Sequence, residues 1–356
     1  MNASNAALSV EPPLQEASPG PGTRLLPTAS QLREHLPLTS ADAQQVAGHR
    51  DEVRAVLNGD DDRLLMIVGP CSLHDPEAAL EYADRLAELA PQVNDRLLLV
   101  MRAYVEKPRT TIGWKGLLYD PHLDGSGDMV EGLTMSRRLM LGIIGRGLPV
   151  ASEILQPLAA SYLDDLLSWA AIGARTSESQ IHREMVSGLD LPVGFKNGTD
   201  GSATIACDAM RSAAHAHQHF GLTESGHPAL VSTAGNPDTH LVLRGGRNGP
   251  NYLPDGVAEA AQLLTNQGVA ARLIVDCSHA NSGKDPLKQP EVLASVVEQR
   301  VNGNHSLRGV MLEGHLFEGC QPLQGELRYG VSVTDGCLGW KDTEAAVKAA
   351  ARRLRC

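Results

Sequence analysis

Residues 97–111 of the chain read LLLVMRAYVEKPRTT, an apolar run that changes abruptly into a cationic segment. The apolar half is hydrophobic enough to be buried on both faces, which is typical of a strand in a parallel sheet. Pro108 ends the strand pattern and Thr110 adds a hydroxyl, so the following segment suits a phosphate or a carboxylate. For an isolated KPRTT a solvated basic loop would be the favoured interpretation, and the recurrence of such positions along the chain argues against it. The positive charges of the segment are Arg102, Lys107 and Arg109.

The composition is that of an acidic globular protein. Among the 356 residues, 42% are hydrophobic, and 31 Lys and Arg stand against 42 Asp and Glu, which gives a formal net charge of −11. This balance argues against a nucleic-acid partner, because nucleic-acid binding depends on basic surfaces. Cations that gather at one place in an acidic chain are therefore more informative than they would be in a basic one.

The cysteines and the apolar segments indicate the compartment. The six cysteines form no CxxC pair, and the N-terminus has no basic and then apolar leader. We therefore expect a reducing, cytoplasmic compartment. No apolar run approaches the roughly 18 residues that a membrane span requires, so no membrane partner is expected.

Three regions are expected along the chain. Residues 1–22 are rich in Ala, Ser, Pro and Gly, which predicts a mobile arm. Residues 23–62 predict a helical extension whose long helix is capped by Ser40 or Asp42 and stops at Asn58-Gly59. Residues 63–356 alternate short apolar segments with amphipathic ones and form the predicted main domain.

Eight strands that alternate with eight helices predict an α/β fold with a closed (β/α)8, or TIM, barrel rather than an open sheet. Before the sixth barrel strand, residues 219–234 carry two apolar runs around a turn, which predicts an inserted β-hairpin. The predicted barrel strands are 64–68, 97–101, 149–151, 169–172, 193–195, 240–243, 273–275 and 309–312. The predicted helices are 76–90, 132–146, 159–167, 178–187, 202–217, 257–266, 290–302 and 342–353.

The positions at the carboxyl ends of the predicted strands carry reactive or charged side chains. Chemistry in such barrels takes place at this end, where ordinary loop starts would be mainly Gly, Ser, Asn, Asp and Pro. A whole ring of reactive groups therefore predicts a functional site. The ring consists of Cys71, Arg102, Glu153, Arg175, Lys196, Arg244, His279 and Glu313.

The cations of this ring predict a binding site for an anionic ligand. Each one alone would more often belong to a surface ion pair, but cations that converge on one cavity repel one another unless an anion is present. A ligand with both a phosphate and a carboxylate would satisfy them. Ala174 lies beside them and offers a backbone N–H. The cations are Arg102, Arg175, Lys196 and Arg244 of the ring, with Lys107 from the KPRTT segment.

Three of the remaining residues of the ring, together with Asp335 from the long loop after the eighth strand, predict a site for one divalent metal ion. Considered singly, a buried Cys is usually a small hydrophobic residue, and Asp335 would suit a helix cap. Together, one thiolate, one imidazole and two carboxylates form a coherent ligand set that leaves manganese, iron, cobalt and zinc open. The predicted ligands are Cys71, His279, Glu313 and Asp335.

Eight segments carry a family resemblance: GPCSLHD (69–75), KPRTT (107–111), GWKGLLYDP (113–121), IGARTSESQ (172–180), PVGFKNGTDG (192–201), LRGG (243–246), DCSHANSGK (276–284) and LEGHLFEG (312–319). In this order they resemble the class I (microbial type, alpha subgroup) 3-deoxy-D-arabino-heptulosonate 7-phosphate (DAHP) synthases. The resemblance runs from about residue 25 to the last predicted helix. It implies a TIM barrel with an N-terminal extension and an inserted hairpin.

The resemblance also implies a reaction, the metal-dependent condensation of phosphoenolpyruvate with erythrose 4-phosphate and water. The products are DAHP and phosphate, and the step is the first of the shikimate pathway to chorismate and the aromatic amino acids. The residues implied to hold phosphoenolpyruvate are Arg102, Lys107, Arg175, Lys196 and Arg244, with Glu153 and the amide of Ala174. Arg109 and Thr110 are implied to hold the sugar phosphate, and the metal is implied to bind at the four ligands named above. We assign the catalytic roles to Lys107, as general acid, and to the metal ligands Cys71 and His279.

Regulation and assembly are further implications of the resemblance. An aromatic amino acid is implied as a feedback inhibitor, with tyrosine favoured and tryptophan next, and a homodimer or homotetramer is expected. The implied effector residues are Pro157, Met185, Asp190 and Gly221. The nearest rival is condensation with arabinose 5-phosphate, against which the KPRTT motif counts. A catalytically silent regulatory protein would be expected to have lost some of the charged positions, and a scaffolding role has no support in the sequence.

Overall fold

The computed structural model describes residues 22–355 of the chain, so the predicted arm lies almost wholly outside the described residues. Ten strands are found, of which eight form a closed parallel barrel and two form a separate hairpin. The barrel follows the order β1-β10-β9-β8-β5-β4-β3-β2. The strands are β1 (Leu64–Gly69), β2 (Leu97–Arg102), β3 (Val150–Glu153), β4 (Trp169–Ile172), β5 (Val193–Lys196), β6 (Gln218–Leu222), β7 (Pro228–Ser232), β8 (Thr239–Leu243), β9 (Leu273–Asp276) and β10 (Leu307–Glu313).

Helices surround the barrel and precede it, so the predicted TIM barrel with a helical extension is confirmed. Each barrel strand is followed by a helix, and two further helices come before the first strand in the part of the chain that the structure describes. Within residues 22–355, none of these helices combines the length and the apolar character that crossing a membrane would require. The helices are α1 (Ala29–His35), α2 (Ser40–Asn58), α3 (Pro76–Val93), α4 (Met129–Ile144), α5 (Pro157–Leu163), α6 (Gln180–Val186), α7 (Thr204–Ala213), α8 (Pro254–Asn266), α9 (Gln289–Val301) and α10 (Trp340–Arg355).

The barrel strands are apolar on both faces because each face meets a different layer. Successive side chains of a strand point to opposite sides. In β1, Leu65 and Ile67 point into the barrel, where they pack with Met311 of β10. Leu64 and Met66 point outward and join the larger core between the strands and the helices. β1 pairs with both β2 and β10, and this pairing closes the barrel.

The helical extension begins with a capping box, in which Thr28 and Gln31 bond each other's backbone N–H groups. The predicted cap of α2 was wrong by one residue. Thr39 is the N-cap, and its hydroxyl accepts a hydrogen bond from the backbone N–H of Asp42 at 3.1 Å. The predicted stop is confirmed, because Gly59 ends α2 with a φ of 87°, a conformation that favours glycine.

The predicted hairpin before the sixth barrel strand is confirmed as β6 and β7, which pair in antiparallel fashion ahead of β8. Exposed residues alternate with half-buried ones along both strands. This alternation is expected of a two-stranded sheet that packs one face on the protein and leaves the other open. Phe220 and Leu230 lie opposite each other on the open face.

Two predicted helices, 159–167 and 202–217, extend four residues too far, and local contacts explain both errors. α5 ends at Leu163 and a 3-10 turn follows, since the carboxylate of Asp165 is held by the guanidinium of Arg137 at 2.7 and 2.8 Å. α7 ends at Ala213, whose carbonyl accepts a hydrogen bond from the backbone N–H of Asn236 at 2.8 Å. The chain then turns into the hairpin, four residues before the predicted end of the helix.

Candidate active site

The carboxyl ends of the barrel strands surround a cavity of about 300 Å³. Most of the predicted site residues meet in its wall, although they come from separate loops. A small recess beside the cavity is lined by Glu313, together with His279 and Asp335. Cys71 is wholly buried beneath this region. The predicted residues in the wall of the cavity are Arg102, Lys107, Arg109, Thr110, Glu153, Ala174, Arg175, Lys196, Arg244, His279 and Asp335.

Arg102, the last residue of β2, is the most deeply buried cation of the site, with 1% of its surface exposed. One terminal nitrogen, Nη2, donates to Glu313 Oε1 at 2.9 Å, and the guanidinium carbon lies 3.5 Å from the centre of the Tyr104 ring. Burial acts to lower the pKa of Arg102, but the acidic groups around it outweigh burial and raise this pKa. The other terminal nitrogen, Nη1, is buried and has no hydrogen-bond partner within residues 22–355. A buried donor without a partner is costly, so this atom is suited to an anionic ligand.

Lys196, the last residue of β5, is held by Asp276 at the end of β9. The Lys196 Nζ atom lies 3.2 Å from Asp276 Oδ2 and 5.9 Å from the centre of the Tyr104 ring. Burial acts to raise the pKa of Asp276, but His279 and Lys196 outweigh it and keep this pKa well below its usual range. Asp276 therefore stays ionised and partly compensates the positive charge at the base of the cavity.

The rim of the cavity carries more exposed cations. Arg109 donates from Nε to the carbonyl of Trp114 at 2.6 Å, which leaves the rest of its guanidinium at the rim. Arg175 donates to the hydroxyl of Thr110 at 3.2 Å, so the loops after β2 and β4 touch at this point. Both arginines are exposed, in contrast to the buried Arg102. The site thus has a buried end and an open end.

Glu153 lies at the end of β3 with 7% of its surface exposed, and its Oε1 atom has no hydrogen-bond partner. Gly173 packs so closely against it that a Cβ atom there would lie 2.5 Å from Oε1. A larger residue at this position would therefore require the Glu153 carboxylate to shift. The backbone at Ala174 and Arg175, which follows directly, is therefore placed beside Glu153 in the cavity wall.

Three of the four predicted metal ligands form a compact group. The Cys71 sulfur and carboxylate oxygens of Glu313 and Asp335 all lie within 4.8 Å of one another, which is close enough to share one ion. Burial is the main cause that raises the pKa of the Cys71 thiol, and the charge of Glu313 raises it further. The charge of Lys107 acts to lower this pKa. The donor set fits a divalent ion of intermediate softness, as the sequence predicted, and does not distinguish the metals.

His279 is held beside this group rather than within it. Its backbone has a φ of 54°, which is unusual for a residue other than glycine. Its Nδ1 atom lies 2.9 Å from Asp276 Oδ2 and 2.7 Å from the hydroxyl of Ser278. A hydrogen bond from Nδ1 to the carboxylate leaves a lone pair on Nε2, the arrangement usual for a metal-binding histidine.

Lys107 connects the cations with the metal ligands. Its Nζ atom lies 3.0 Å from the Cys71 sulfur, and only 8% of the residue is exposed. Burial acts to lower the pKa of Lys107, but Cys71 and Glu313 outweigh burial and raise it. The lysine therefore stays charged at neutral pH.

Sequence reasoning missed several residues of the site. Lys284 lines the cavity, and its Nζ atom lies 3.6 Å from Asp335 Oδ1. Burial acts to raise the pKa of Asp335, but the charges of Lys107 and Lys284 outweigh burial and lower this pKa. Tyr104 and Asp276 are not part of the cavity wall. Tyr104 contacts Arg102 and Lys196, and Asp276 contacts Lys196. Two of them had a signal in the sequence, since Asp276 directly follows the predicted strand 273–275 and Lys284 ends the DCSHANSGK segment.

The four predicted effector residues lie on the outside of the barrel, away from the cavity. Pro157 begins α5, Met185 lies in α6, and Gly221 lies in β6. Asp190 is exposed and accepts a hydrogen bond from Arg54 of α2 at 2.6 Å. The described structure does not join these four residues in one cavity, so their role stays a prediction.

Comparisons with known proteins identify a family for this chain and agree with its fold. A family model described as the DAHP synthetase I family matches residues 39–348. A solved structure of phospho-2-dehydro-3-deoxyheptonate aldolase from Francisella tularensis SCHU S4 superposes with a TM-score of 0.92 at 41% identity, covering 94% of this chain and 98% of that one.

Two characterised relatives come from Escherichia coli (strain K12). The Tyr-sensitive phospho-2-dehydro-3-deoxyheptonate aldolase is 51% identical over 328 residues, which is 91% of this chain and 92% of the relative. The Phe-sensitive enzyme of the same name is 50% identical over 333 residues, which is 93% of this chain and 95% of the relative. The similarity therefore spans the whole barrel and extends beyond it.

Proposed function

The chain belongs to the DAHP synthetase I family, and we propose that it condenses phosphoenolpyruvate with erythrose 4-phosphate and water to give DAHP and phosphate. The enzyme predicted from the sequence, a 3-deoxy-7-phosphoheptulonate synthase, is the one that the relatives' names describe, so that prediction is confirmed. The substrates, the metal and the effector are parts of the proposal. The proposed reaction would be the first step of the shikimate pathway.

One observation carries the proposal: an acidic protein places seven Lys and Arg residues in the wall of one cavity, and a buried guanidinium nitrogen there, Arg102 Nη1, has no hydrogen-bond partner among the described residues. Such a cavity is costly without an anion. Phosphoenolpyruvate supplies a phosphate and a carboxylate on three carbons, so it would satisfy several cations at once. Its proposed partners are Arg102, Lys107, Arg175, Lys196 and Arg244, with Glu153 and the amide of Ala174.

Erythrose 4-phosphate would bind toward the open end. Arg109 and Thr110 are its proposed phosphate partners, and both are exposed at the rim. Arg175 contacts Thr110 there, so the two substrate sites adjoin. Two substrates that both carry negative charge repel each other in solution, and cations on both sides of their meeting point would offset this repulsion.

One divalent metal ion is the proposed cofactor, held by Cys71, His279, Glu313 and Asp335. The compact group of the Cys71 sulfur and the two carboxylates supports three of these ligands, and the orientation of His279 by Asp276 supports the fourth. When bound there, a divalent ion would supply Lewis-acid polarisation of the sugar aldehyde. The donor set leaves manganese, iron, cobalt and zinc open.

The side chains named above would hold the two substrates so that their reacting atoms meet. C3 of phosphoenolpyruvate bonds to the aldehyde carbon, water adds at C2, and phosphate leaves from the resulting hemiketal. Lys107 lies where the cations meet the metal ligands, which supports it as the general acid for the aldehyde oxygen. Its raised pKa keeps the proton in place until negative charge develops beside it.

The test follows loss of phosphoenolpyruvate and release of phosphate with purified protein. We expect turnover with erythrose 4-phosphate, loss of turnover after chelation and recovery when a divalent metal is added back. Arabinose 5-phosphate is run in parallel, because a rival sugar-acid synthase would prefer it. Turnover with arabinose 5-phosphate alone, or with neither sugar, would overturn the proposal.

Tyrosine is the proposed feedback inhibitor, with tryptophan next. The named relatives include one Tyr-sensitive and one Phe-sensitive enzyme at nearly equal identity, so their names do not decide between effectors. Titration of tyrosine, tryptophan and phenylalanine into the same assay decides among them, and indifference to tyrosine at millimolar concentration would exclude it. A homodimer or homotetramer, the proposed assembly, is tested by light scattering on the same preparation. A cytoplasmic location remains part of the proposal.

A further inference from the structure

Three asparagines connect the loops that follow β5, β8 and β9. These loops touch closely: a Cβ atom on Gly245 would lie 2.8 Å from Ala280, and one on Gly246 would lie 2.2 Å from the backbone of Gly201. Gly245 also has a φ of 69°, so no other residue fits there without strain. The cations Lys196 and Arg244 lie where two of these loops begin, at the ends of β5 and β8. The three asparagines are Asn197, Asn251 and Asn281.

Asn197 is the centre of the network. It is wholly buried, and its side-chain oxygen accepts hydrogen bonds from the backbone N–H of Arg244 at 2.7 Å and from the Asn251 amide at 3.1 Å. Its side-chain nitrogen donates to the carbonyls of Gly198 at 2.8 Å and Gly245 at 3.0 Å. One amide side chain thereby uses two acceptor and two donor positions, which is its full capacity.

The other two asparagines extend the network to the loop of His279. Asn251 accepts a hydrogen bond from the backbone N–H of Gly245 at 2.8 Å, and its own backbone N–H donates to Asn281 Oδ1 at 2.9 Å. Asn281 donates to the carbonyls of Leu243 at 3.0 Å and Asp276 at 2.9 Å. The ends of three adjacent strands are thus fixed to one another by side-chain amides.

From this geometry we infer that Asn197, supported by Asn251 and Asn281, is a positioning residue for phosphoenolpyruvate. The inference rests on the proposed function. The network does not touch the cavity, but it fixes the backbone N–H of Arg244 and both backbone polar groups of Gly245. It also fixes the residue after Lys196. Asn197 therefore sets the distance between the backbone at Lys196 and the backbone at Arg244, which are two of the five cations proposed to bind phosphoenolpyruvate.

A purely structural role is the alternative, and the chain contains a matched control for it. Asn236 is also buried, with 2% exposed. It donates to the carbonyls of Leu189 and Leu191, both at 3.0 Å, and accepts from the backbone N–H of Asp238 at 2.9 Å. It connects loops at the opposite end of β5 and β8, far from the cavity. Loss of either asparagine would remove buried hydrogen bonds, but only Asn197 contacts the backbone of the cation loops.

The experiment compares Asn197→Ala and Asn197→Asp with Asn236→Ala and Asn236→Asp. Equilibrium binding of phosphoenolpyruvate is measured by titration calorimetry, and KM is measured for each substrate. Both Asn197 variants should weaken phosphoenolpyruvate binding and raise its KM by about tenfold, the scale of one buried hydrogen-bonding group that loses its partners. The KM for erythrose 4-phosphate should change much less. Both Asn236 variants should lower the thermal midpoint while leaving phosphoenolpyruvate affinity unchanged.

Each other outcome overturns a distinct statement. Equal loss of phosphoenolpyruvate affinity in the Asn197 and Asn236 variants would show a structural role. An effect of Asn197→Asp without one of Asn197→Ala would show that charge rather than position is responsible. If the Asn197 variants do not fold, Asn251→Ala, at a half-exposed position, must raise the KM for phosphoenolpyruvate, or the inference fails. Wild-type protein that binds phosphoenolpyruvate but does not turn over would refute the proposed reaction and leave the binding comparison valid.

Discussion

The Nζ atom of Lys107 lies 3.0 Å from the sulfur of Cys71, although the two residues are 36 positions apart in the chain. Burial raises the pKa of the Cys71 thiol, and the ammonium group acts in the opposite direction. The contact joins the residue proposed as general acid to a proposed metal ligand. A variant at Lys107 can therefore separate proton transfer from metal binding.

Lys107→Met should lower kcat by roughly 100- to 10,000-fold, the contribution usual for general acid catalysis, because methionine cannot donate a proton. Metal content should stay close to that of the wild type, since the sulfur and carboxylate ligands are unchanged. Atomic emission measures the metal, and the phosphate-release assay measures kcat. Lys115→Met, at an exposed lysine outside the cavity, is the control and should retain activity. Equal loss of metal and of turnover in Lys107→Met would refute the role as acid.

Tyr104 should affect phosphoenolpyruvate binding through its ring rather than through its hydroxyl. The ring lies under the Arg102 guanidinium, whereas the hydroxyl is buried without a partner. Tyr104→Phe should therefore leave KM unchanged and leave stability equal or higher by up to about 1 kcal/mol. Tyr104→Leu should raise the KM for phosphoenolpyruvate about 3- to 30-fold through loss of the cation–π contact. Tyr82→Leu, at an equally buried tyrosine outside the cavity, should lose stability without a change in KM.

The stability of the protein should depend on pH through Glu106. This carboxyl group is buried, and burial raises its pKa to about 7 despite hydrogen bonds from the backbone N–H groups of Leu155 and Gln156. Because its pKa is higher in the folded protein than in the unfolded chain, the stability it contributes is complete below about pH 4.5 and is lost as the pH rises toward 7.

Glu106→Gln resembles the protonated form and should remove this pH dependence. The free energy of unfolding in urea is measured at pH 5 and pH 8 for both proteins. Relative to the wild type, the variant should gain on the order of 2 kcal/mol between the two pH values. Glu88→Gln, at an exposed carboxylate of α3, provides the comparison. A difference between Glu106→Gln and wild type that does not change with pH would contradict the assignment.

Metal affinity should depend on Cys71 and not on Cys207, a buried thiol of α7. Cys71→Ser should weaken metal binding at least on the order of 10- to 100-fold, the effect known even for residues that only support metal ligands. Competition with a chelator measures the affinity, and the absorption of a cobalt-loaded sample reports the sulfur ligand directly. Cys207→Ser, at a buried cysteine of α7, should bind metal normally. Retention of the sulfur-to-cobalt absorption band in Cys71→Ser would exclude this cysteine as a ligand.

The barrel was predictable because its strands have to be buried on two sides. Residues 64–69 and 97–102 are wholly buried, and no amphipathic alternative fits such continuous apolar runs. The charged residues at the strand ends were predictable for the same reason, since the register of a barrel places them at one end. Helix ends were less predictable, because Arg137 and Asn236 act on them from distant parts of the chain.

The supporting residues of the site gave weaker signals. Asn197 follows a strand, where asparagine is an ordinary loop residue, and its four hydrogen bonds involve residues up to 54 positions away. Tyr104 looks like a core aromatic residue, and it is one, but its ring also faces two cations. The placement of His279 depends on a positive φ that its residue type does not favour. Such features depend on tertiary contacts and cannot be inferred from local patterns.

The pairing of β1 with β10 has a consequence during synthesis on the ribosome. Gly69 stands opposite Glu313 in this pairing, and Cys71 follows two residues later, so the first and last strands together assemble the thiolate and carboxylate group. A nascent chain whose final sixth has not yet left the ribosome contains the arginines and lysines of the cavity wall but neither Glu313 nor Asp335. On the proposed ligand assignment such products lack two of the four metal ligands, so we expect them to be inactive until the last segment has emerged.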